Sequence, residues 1–594
     1  MLTELYQHAL KENLAVRPGF KRKRVKAYLC LSSEGKFLGI ELREKGAPDV
    51  YAPDVGAAAL GTRYCNPLVE KAQIPLRIIK DEAKDKNIPT KSDFYLSMLD
   101  DGAVDEPCFA IIAQALRDGE TVAAMERAME EQKLKGADPV SFMVDGLPIE
   151  QSEKYFSWWE NFRAQFSPTQ TGDHPRCLIT GQAAPAMATV PKVSGLLAVG
   201  GHTSGDAFLC FDKDAFQSYG LKKSANAPVS EEAMTAVNAA LADLLRKAEI
   251  LGGAKLVHWY SGPITEDEDL IPVLFNPGWD NGSYESEETA GNDEKSALRT
   301  AQKLIESIWI GKPPEQLSAR YYILPLSGAG GRMMVRGWYE GSYEELYQNI
   351  RLWFDDLSLV RWNGKGLAPL PKLKALCTRM LKPGGDPKKI WDRMDKELPN
   401  LLGRVLNAVI KAGPLPDEAA VRVLHYIRSA ILAGEQDEGS RPGQFEHETL
   451  AFQLLKAWLI RKRRERGDDK PMGVEKTDRA ESAAYCCGQL MATYVAIQQT
   501  AMPEVGVGLA QRYYTAASNG PALVIGRLAK LAQHHLSKLD KGLSIYYERC
   551  LSEIYVRIGD SKIPTMLSIE QQAEFALGYY QQRAALYSTS ASKE

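Results

Sequence analysis

The stretch YYILPLSGAGGRMMVRGWYEGSYEEL, residues 321–346, joins an apolar run to an arginine-bearing run through the small residues SGAGG. An apolar run followed by a glycine-rich turn and a cation is the pattern of a phosphate-binding loop. A Walker-type loop, however, has Lys and Ser or Thr directly after its last glycine, whereas Gly331 is followed by Arg332 and two methionines. Beyond Gly331 the side chains alternate with a period of two, which is typical of a strand. We therefore predict two strands joined by a turn rather than a nucleotide site.

The end of this stretch predicts a helix. Ser342 and Glu345 have the spacing of a capping box, in which each side chain bonds to the other residue's backbone N–H at a helix N-terminus. The stretch is thus expected to fold as strand, turn, strand and helix. A second hairpin is predicted at residues 23–42, KRVKAYLCLSSEGKFLGIEL, with SSEGK as its turn. Ser230, followed by two acids, predicts a helix that ends near Lys247.

The sequence pattern changes after about Leu357, where strand-like alternation gives way to helical periodicity. The predicted fold class is therefore α+β: a mixed α/β N-terminal domain with short antiparallel strands, followed by an all-helical C-terminal bundle. At 594 residues, the chain exceeds what one core usually supports. We expect a mixed domain at 1–356, a helical connecting region at 357–470 and a bundle at 471–594. The charged stretch RKRRERGDDKPMG, residues 461–473, is predicted to separate the last two.

Two helices of the C-terminal part are predicted to have an apolar face. The face of the first is formed by Cys487, Leu490, Met491, Tyr494 and Val495. The face of the second is formed by Ala573, Ala576, Leu577, Tyr580 and Ala584. Ser568 and Gln571 are spaced to cap the second helix in capping-box fashion.

The composition is that of an ordinary globular protein, with 44% hydrophobic and 25% charged residues. No apolar run approaches the length of a membrane span, and the N-terminal MLTELYQHALKENL lacks the apolar core of a signal peptide. We therefore expect a cytoplasmic protein with no membrane partner. The nine cysteines include no CxxC pair, which favours buried free thiols. Residues 264–295 are acidic and polar and predict a long exposed loop or a partly disordered segment.

The histidines form no recognised catalytic or metal-binding pattern. None of the eight precedes an Asp in an HD pair, and none has the HxxxH spacing of a zinc site. No GxSxG nucleophile elbow occurs either. Acid pairs such as Asp355–Asp356 suit a metal ion, but acids at helix ends are common. We therefore expect no catalytic residue, no cofactor and no metal.

Local basic clusters carry more information than the formal net charge of −3, which does not itself indicate a nucleic-acid partner. In FKRKRVK, residues 20–26, five cations fall close together: Lys21, Arg22, Lys23, Arg24 and Lys26. Such a density suits contact with a phosphate backbone, and the alternative is a solvated surface run. A second cluster, residues 461–464, is weakened by the acids that follow it.

The loop GGHTSGD, residues 200–206, is rich in small residues. Few bulky side chains keep such a backbone away from a nucleic-acid groove, and the alternative is a tight turn. Further cations lie on the opening hairpin or flank the glycine-rich region, namely Arg332, Arg336, Lys192, Lys222 and Lys223. Together they indicate basic residues spread across a mixed α/β domain.

Several segments together resemble the Csd family, the large subunit of the subtype I-C CRISPR surveillance complex, Cascade. The segments are CLITGQ, PKVSGLL, GGHTSGD, AFQSYG and NAPVSEEA, within residues 177–234, and the family's pattern there is CLVTG, PKIKG, SSGA, AFESYG and NAPVSE. The chain departs from SSGA at Thr203 and Asp206. The opening hairpin resembles the family's YILGLSPNAARISVRFW, and EQQAEFALGYYQQR near the end resembles its FALGYYHQR. Residues 46–150 match least well.

The resemblance implies a non-catalytic role. The guide RNA reads sequence by base pairing, and a protein subunit reads the short adjacent motif (PAM) on duplex DNA. The family's large subunit is that reader; it promotes R-loop formation and recruits the helicase–nuclease. Its implied partners are the crRNA-loaded Cascade backbone subunits, a small helical subunit, target duplex DNA with its PAM and the helicase–nuclease effector. Type I systems approach the PAM through the minor groove, where small loops and Asn or Lys contacts serve as readers.

From this resemblance we expect some residues to lie near the PAM, namely Lys192, Gly200, Gly201, Ser204, Gly205 and Asn226. Others are expected on the DNA backbone, namely Lys21, Arg22, Lys23, Arg24, Lys26, Arg332 and Arg336. Asn226 has an alternative as a cap or turn residue.

The helical end resembles the small subunit, which in this family is also made separately by an internal translation start. Met472, directly after the charged stretch, is the expected start. Two other classes of function stay open at this point: a metal-dependent nuclease or other nucleic-acid hydrolase, and a purely structural scaffold subunit.

Overall fold

The computed structural model describes residues 1–14, 17–44, 46–81, 83, 85–166, 174–187, 189–211, 213–217, 219–277, 318–384, 386–433, 444–468, 472–475, 482–503, 508–559 and 561–590. Its internal contacts divide the chain into two compact units. Unit 1 comprises residues 1–195, 201–246 and 329–333, and unit 2 comprises residues 196–200, 247–328 and 334–594. The predicted domain boundaries at 356/357 and 470/471 both fall within unit 2, and the three-part division stays a prediction.

Unit 1 combines helices with small sheets. Its described strands are β1 (Phe20–Lys23), β2 (Ala27–Leu31), β3 (Phe37–Leu42), β4 (Val50–Pro53), β5 (Glu70–Lys71), β6 (Pro139–Val144) and β7 (Leu147–Pro148). Its described helices are α1 (Leu2–Lys11), α2 (Ile88–Gly102), α3 (Cys108–Arg117), α4 (Gly119–Glu131), α5 (Phe156–Arg163) and α6 (Glu231–Lys247). Strand β1 pairs with β4, and the other sheet has the order β3-β2-β6-β5, with β7 paired to β6.

The local predictions for unit 1 are confirmed. Strands β2 and β3 form the predicted hairpin and pair antiparallel. Helix α6 follows Ser230, whose Oγ accepts a hydrogen bond from Ala233 N at 3.3 Å, and it ends at Lys247. One pairing differs from the expected antiparallel arrangement, because β2 and β6 run parallel. A parallel pair needs a long crossover connection, and the segment that carries α2, α3 and α4 supplies it.

The core of unit 1 packs the central strands against an aromatic helix. Leu29 of β2 and Phe142 of β6 are fully buried and belong to the same apolar cluster as Trp158 and Trp159 of α5. The Trp159 Nε1 also donates a hydrogen bond to the Gly19 carbonyl at 2.9 Å. Since Gly19 directly precedes β1, this bond helps to fix where the basic strand starts.

Unit 2 contains a sheet and most of the helices. Its strands are β8 (Glu249–Leu251), β9 (Ala254–Tyr260), β10 (Arg320–Ala329), β11 (Arg332–Val335) and β12 (Tyr339–Ser342). The sheet order is β11-β10-β9-β8, with β12 paired to β10, and residues 329–333 at the hairpin tip are grouped with unit 1. Its described helices are α7 (Leu270–Phe275), α8 (Tyr343–Leu357), α9 (Leu373–Thr378), α10 (Ile390–Glu397), α11 (Pro399–Ile410), α12 (Asp417–Ala433), α13 (Gln444–Glu465), α14 (Ala483–Ala501), α15 (Leu509–Ala517), α16 (Ile525–Leu536), α17 (Lys541–Ile558) and α18 (Ile569–Ser590).

The opening stretch folds as predicted into strand, turn, strand and helix. Gly330 and Gly331 form the two-residue turn between β10 and β11, with φ angles of +57° and +79°. Two consecutive positive φ angles are what a type I′ hairpin turn requires. Strand β10 continues to Ala329, so the turn is shorter than the SGAGG loop. A third short strand, β12, precedes α8, whose N-cap Ser342 accepts a hydrogen bond from Glu345 N at 3.1 Å.

The all-helical C-terminal part is confirmed, and the α+β fold class with it. The predicted face of α14 is buried, but the helix is buried on almost every side, because every residue from 484 to 495 is buried. It crosses α18 closely: a Cβ on Gly488 would lie 2.0 Å from the Phe575 carbonyl oxygen. The predicted capping box of α18 is present in both directions, with N···O distances of 3.3 and 3.0 Å between Ser568 and Gln571.

Two sequence interpretations in unit 2 are corrected. Within the predicted loop at 264–295, Asp269 caps the short helix α7, and residues 278–295 lie outside the described residues. The predicted separator at 461–473 begins inside α13 rather than in a linker. Arg461 is only 2% exposed. Its charge is tolerated in the core because its Nε donates to the Asp356 carboxylate at 2.8 Å. Its partner Asp356 lies on α8, 105 residues earlier in the sequence, so no local pattern indicates that Arg461 is buried.

The carboxylate of Asp356 is the centre of a buried charge network in unit 2. It accepts hydrogen bonds from Arg461 and, at 2.8 Å, from Arg464. Lys456 is also buried, and its Nζ donates to the Ser358 carbonyl at 2.7 Å. Burial lowers the pKa of Lys456 to about 8, against the opposing effect of Asp356 and Asp355. Each buried cation is thus held by an acid or a carbonyl.

Removing the acid of this network is expected to destabilise unit 2. Asp356→Ala leaves Arg461 buried without its carboxylate, which costs about 3–5 kcal/mol of unfolding free energy. The matched control is Glu418→Ala, which breaks exposed ion pairs with Arg404 and Arg422 and costs at most about 1 kcal/mol. Urea unfolding followed by circular dichroism measures both, and equal losses would contradict the prediction.

Candidate nucleic-acid interface

Three short segments of unit 1 lie side by side through backbone hydrogen bonds. Val193 and Asp206 form an antiparallel bridge with N···O distances of 2.9 and 2.8 Å. Ala207 then bonds to the tip of the β10–β11 hairpin: its N–H donates to the Gly331 carbonyl at 2.8 Å, and its carbonyl accepts from Met333 N at 3.0 Å. The GGHTSGD loop is therefore held between the segment after Lys192 and the hairpin tip at Arg332.

The loop itself is closed by a buried carboxylate. Asp206 is 0% exposed, and both of its carboxylate oxygens lie 3.2 Å from His202 N, which donates to them. The Gly205 N–H donates to the His202 carbonyl at 3.0 Å. His202 Nδ1 and Ser204 Oγ are 2.8 Å apart. The loop is thus the hydrogen-bonded tight turn considered as an alternative, and its exposed tip is His202, Thr203 and Ser204.

Glycine is required at the base of this turn. Gly205 has a φ angle of +86°, which side-chain-bearing residues rarely adopt. A Cβ at this position would lie 3.1 Å from both the Lys192 Cβ and the Val193 carbonyl oxygen. The absence of a side chain at Gly205 therefore lets the turn approach the backbone of residues 192–193. Gly200, in unit 2, has a φ angle of +85°, and a Cβ there would lie 2.9 Å from the Gly328 carbonyl oxygen.

Two exposed cations flank the turn. Lys192 directly precedes the Val193 bridge, and Arg332 directly follows the hairpin turn that bonds to Ala207. No described residue forms an ion pair or a side-chain hydrogen bond with either of them. Both charges are therefore available to an external anion. The structure brings together five of the predicted site residues, namely Lys192, Gly201, Ser204, Gly205 and Arg332.

The predicted N-terminal cluster is largely engaged with the chain's own acids. Asp54 binds Lys21 at 2.9 Å and Lys23 at 3.3 Å, and Lys26 binds Asp138 at 2.7 Å. Burial raises the pKa of Asp54, but the two lysines outweigh burial and lower it overall.

The other members of this cluster differ in their contacts. The Arg22 Nε donates to the Tyr51 hydroxyl at 2.9 Å, and its guanidinium lies 5.2 Å from the centre of that ring. Arg24 is exposed, and no described residue pairs with it. Part of the positive charge predicted for a phosphate backbone is therefore already neutralised.

The remaining predicted residues lie in other surroundings. In unit 2, the Arg336 Nε donates to Ser327 Oγ at 2.7 Å, which holds the arginine along β10. Trp338, two residues further along the chain, stacks on Tyr322, with ring centres 5.6 Å apart. In unit 1, the Asn226 amide donates to the carbonyls of Leu221 and Lys223, both at 3.0 Å. Asn226 therefore stabilises a turn, and its place near the PAM stays a prediction.

Sequence reasoning missed the residues that organise this site. In the sequence, Asp206 is only a departure from the family's SSGA pattern, yet its buried carboxylate closes the turn. Ala207 carries no sequence signal, because its contribution is made by its backbone alone.

Met472, the predicted internal translation start, lies between α13 and α14 in the sequence. Its side chain is buried in the core of unit 2.

None of the described helices is long and apolar enough to cross a membrane. Among the described residues, no group of three or more His, Cys, Asp or Glu side chains is placed to hold a metal ion.

The fold and the site define an α+β protein that exposes two cations beside a compact glycine turn. A family model described as CRISPR-associated protein (Cas_Csd1) matches residues 2–587. The chain belongs to this family of CRISPR-associated proteins, which confirms the resemblance found in the sequence. Membership supports a role in CRISPR defence, within an effector complex. No curated protein matched the chain.

A substitution at Gly205 is expected to weaken the packing of the turn. In Gly205→Ala, an alanine must adopt the left-handed φ of Gly205, and its Cβ lies against the backbone of residues 192–193. We expect this strain to reduce the stability of the turn by about 1–3 kcal/mol. We expect hydrogen exchange at the amides of Val193 and Asp206 to become roughly 5- to 150-fold faster.

Gly181→Ala is the matched control for this measurement. Gly181 also has a positive φ, +71°, but a Cβ there would meet no atom within 4 Å. The exchange rates at Val193 and Asp206 should therefore stay unchanged in this variant. Unchanged rates in Gly205→Ala would show that the turn does not depend on the glycine.

Proposed function

We propose that this chain is the large subunit of a type I-C CRISPR surveillance complex. In this role it recognises the PAM on duplex DNA, promotes R-loop formation and recruits the helicase–nuclease, without catalysing a reaction itself. Its partners are the crRNA-loaded backbone subunits, a small helical subunit, the target duplex and the nuclease. The observation that carries the proposal is the convergence of Lys192, the turn at Gly201–Gly205 and Arg332 within unit 1.

The geometry of this site suits a DNA groove. A groove floor lies between two rows of phosphates, so a reader needs a narrow projecting element with cations at its sides. The turn is narrow because of its glycines, and its exposed tip carries the hydrogen-bonding groups of His202, Thr203 and Ser204. Lys192 and Arg332 flank the turn and supply positive charge for the phosphates. The tip would then contact base edges while the cations set the position.

The N-terminal cluster is assigned a secondary role in this proposal. A phosphate that binds Lys21 or Lys23 competes with Asp54, and one that binds Lys26 competes with Asp138. Each contact exchanges one ion pair for another, so its net contribution to affinity is small. Arg24 has no described partner and is the member of this cluster best placed to add affinity. Arg336 keeps further donor groups beyond the Nε that binds Ser327.

Neutralising the two flanking cations is expected to weaken target binding. The double variant Lys192→Ala/Arg332→Ala, assembled with guide RNA and the other subunits, should bind PAM-containing duplex less tightly. Its plot of log affinity against log salt should lose about 1.8 of slope, because each lost phosphate contact removes about 0.9. Electrophoretic mobility shifts at several salt concentrations measure both quantities, on duplexes with and without the PAM.

The matched control removes two exposed cations elsewhere in unit 1, as Lys36→Ala/Arg77→Ala. Both of these side chains are more than half exposed and pair only with surface acids in the described structure. Equal behaviour of the two double variants would contradict the proposed site. If charge reversal of Lys21–Arg24 also changed nothing, the scaffold alternative would be favoured. Metal-dependent DNA cleavage by the purified chain would favour the nuclease alternative.

The helical end is proposed to be made a second time as a separate small subunit, by translation from Met472. The segment 472–594 contains the helices α14 to α18, which pack around the buried α14. Met472→Leu conserves the volume of this buried side chain and should abolish a short C-terminal product while the full chain persists. An immunoblot against a C-terminal tag, with Met491→Leu as control, measures it. Absence of a short product from the unaltered gene would contradict this proposal.

A further inference from the structure

An exposed aromatic segment lies between the glycine turn and α6 in the sequence. This segment, residues 213–217 and 219–223, is exposed at every one of those positions. Tyr219 has a relative exposure of 101%, and Phe216 and Leu221 are 44% and 43% exposed. A large ring held fully in water contributes nothing to the core of unit 1, and its burial against a ligand would be favourable.

The backbone of the segment is held in an unusual conformation. Tyr219 has a φ angle of +53°, and Lys223 has one of +51°. Bulky residues rarely occupy this left-handed region, and such residues concentrate at functional sites. The ring of Tyr219 projects into solvent in spite of that strain, so the packing of the described chain does not account for it.

The segment is anchored at its C-terminal end. The Asn226 amide bonds to the carbonyls of Leu221 and Lys223, both at 3.0 Å. The Ser224 hydroxyl donates to the Met187 carbonyl. These bonds are local to unit 1 and tie the end of the segment to the protein body. Asn226 therefore acts on this surface as a positioning residue.

The segment carries a small excess of positive charge, and two of its lysines follow Tyr219 closely in the sequence. Lys213, Lys222 and Lys223 are exposed, while the Asp214 carboxylate accepts a hydrogen bond from Gln217 Nε2 at 3.2 Å. Asp212 also belongs to this sequence, so the lysines exceed the acids by one. An exposed aromatic ring beside lysines matches single-stranded nucleic acid, whose base faces stack on rings and whose phosphates attract cations. Duplex DNA fits less well, since its base faces are already stacked on each other.

We propose that Tyr219 stacks on an unpaired base of single-stranded DNA, with Lys222 and Lys223 on the adjacent phosphates. This assignment rests on the proposed function, because R-loop formation is what would present a single strand to the segment. It adds a binding site that is separate in sequence from the turn assigned to the PAM.

The test measures binding of a labelled deoxythymidine oligonucleotide to the full chain by fluorescence anisotropy. Tyr219→Ala should lower the affinity about 5- to 150-fold, the range for loss of one base–aromatic stack, with an unchanged salt slope. Tyr219→Phe keeps the ring and should bind like the unaltered chain. Lys222→Ala/Lys223→Ala should reduce the salt slope by about 1.4, from 0.7 for each phosphate contact on a single strand. Trp391→Ala, which removes another exposed aromatic, should change nothing.

Several results would overturn the inference. The first is that the unaltered chain does not bind the oligonucleotide. The second is that Tyr219→Ala leaves the affinity unchanged, and the third is that Tyr219→Phe binds as weakly as Tyr219→Ala. Loss of other subunits from the assembled complex of Tyr219→Ala, with oligonucleotide affinity unchanged, would instead assign the ring to a protein partner. The proposed function is judged separately, by whether the unaltered assembled complex distinguishes duplexes with and without the PAM.

Discussion

The two hydrogen bonds made by the backbone of Ala207 are the constraint on which the candidate interface depends. They join the end of the GGHTSGD turn to the β10–β11 hairpin tip, and the neighbouring Val193–Asp206 bridge joins the same turn to Lys192. Without the Ala207 bonds and the Val193–Asp206 bridge, no backbone contact would join the turn to Lys192 and Arg332. The bonds are made by main-chain atoms, so they set the spacing of Lys192, the turn and Arg332 for any residue at position 207 that keeps its backbone N–H.

The availability of each cation matters more than the number of cations in a run. The densest run, Lys21–Lys26, loses much of its charge to Asp54 and Asp138. The isolated Lys192 and Arg332 have no described ion-pair partner and are exposed. A phosphate gains most from a cation that does not have to leave another anion first. Lys192 and Arg332 are therefore better candidates for phosphate binding than Lys21–Lys26, although the run is the stronger signal in the sequence.

Local chemistry explains why much of the fold was predictable. The hairpin turn at Gly330–Gly331 was predictable because glycine readily adopts the positive φ that both positions need. The caps at Ser342 and Ser568 were predictable because each bonds to a residue three positions later. The charged stretch predicted to separate two helical regions begins inside α13, because Asp356 from a distant part of the chain holds Arg461 in the core. The sequence pattern predicts one apolar face for α14, although its small and apolar residues, with Gly488 at a close helix crossing, allow burial on nearly all sides.

The sequence by itself determined the hairpins, the capped helices, the α+β class and membership in a CRISPR-associated family, because these depend on residues close together in the chain or on a recurring pattern. Only the tertiary structure decided which charges are available. The partners of Lys21, Lys26 and Arg461 lie 33, 112 and 105 residues away, and no local pattern encodes such pairings. The contact of Ala207 is equally non-local, since its main-chain bonds reach Gly331 and Met333 in a distant part of the chain and leave no pattern in the sequence.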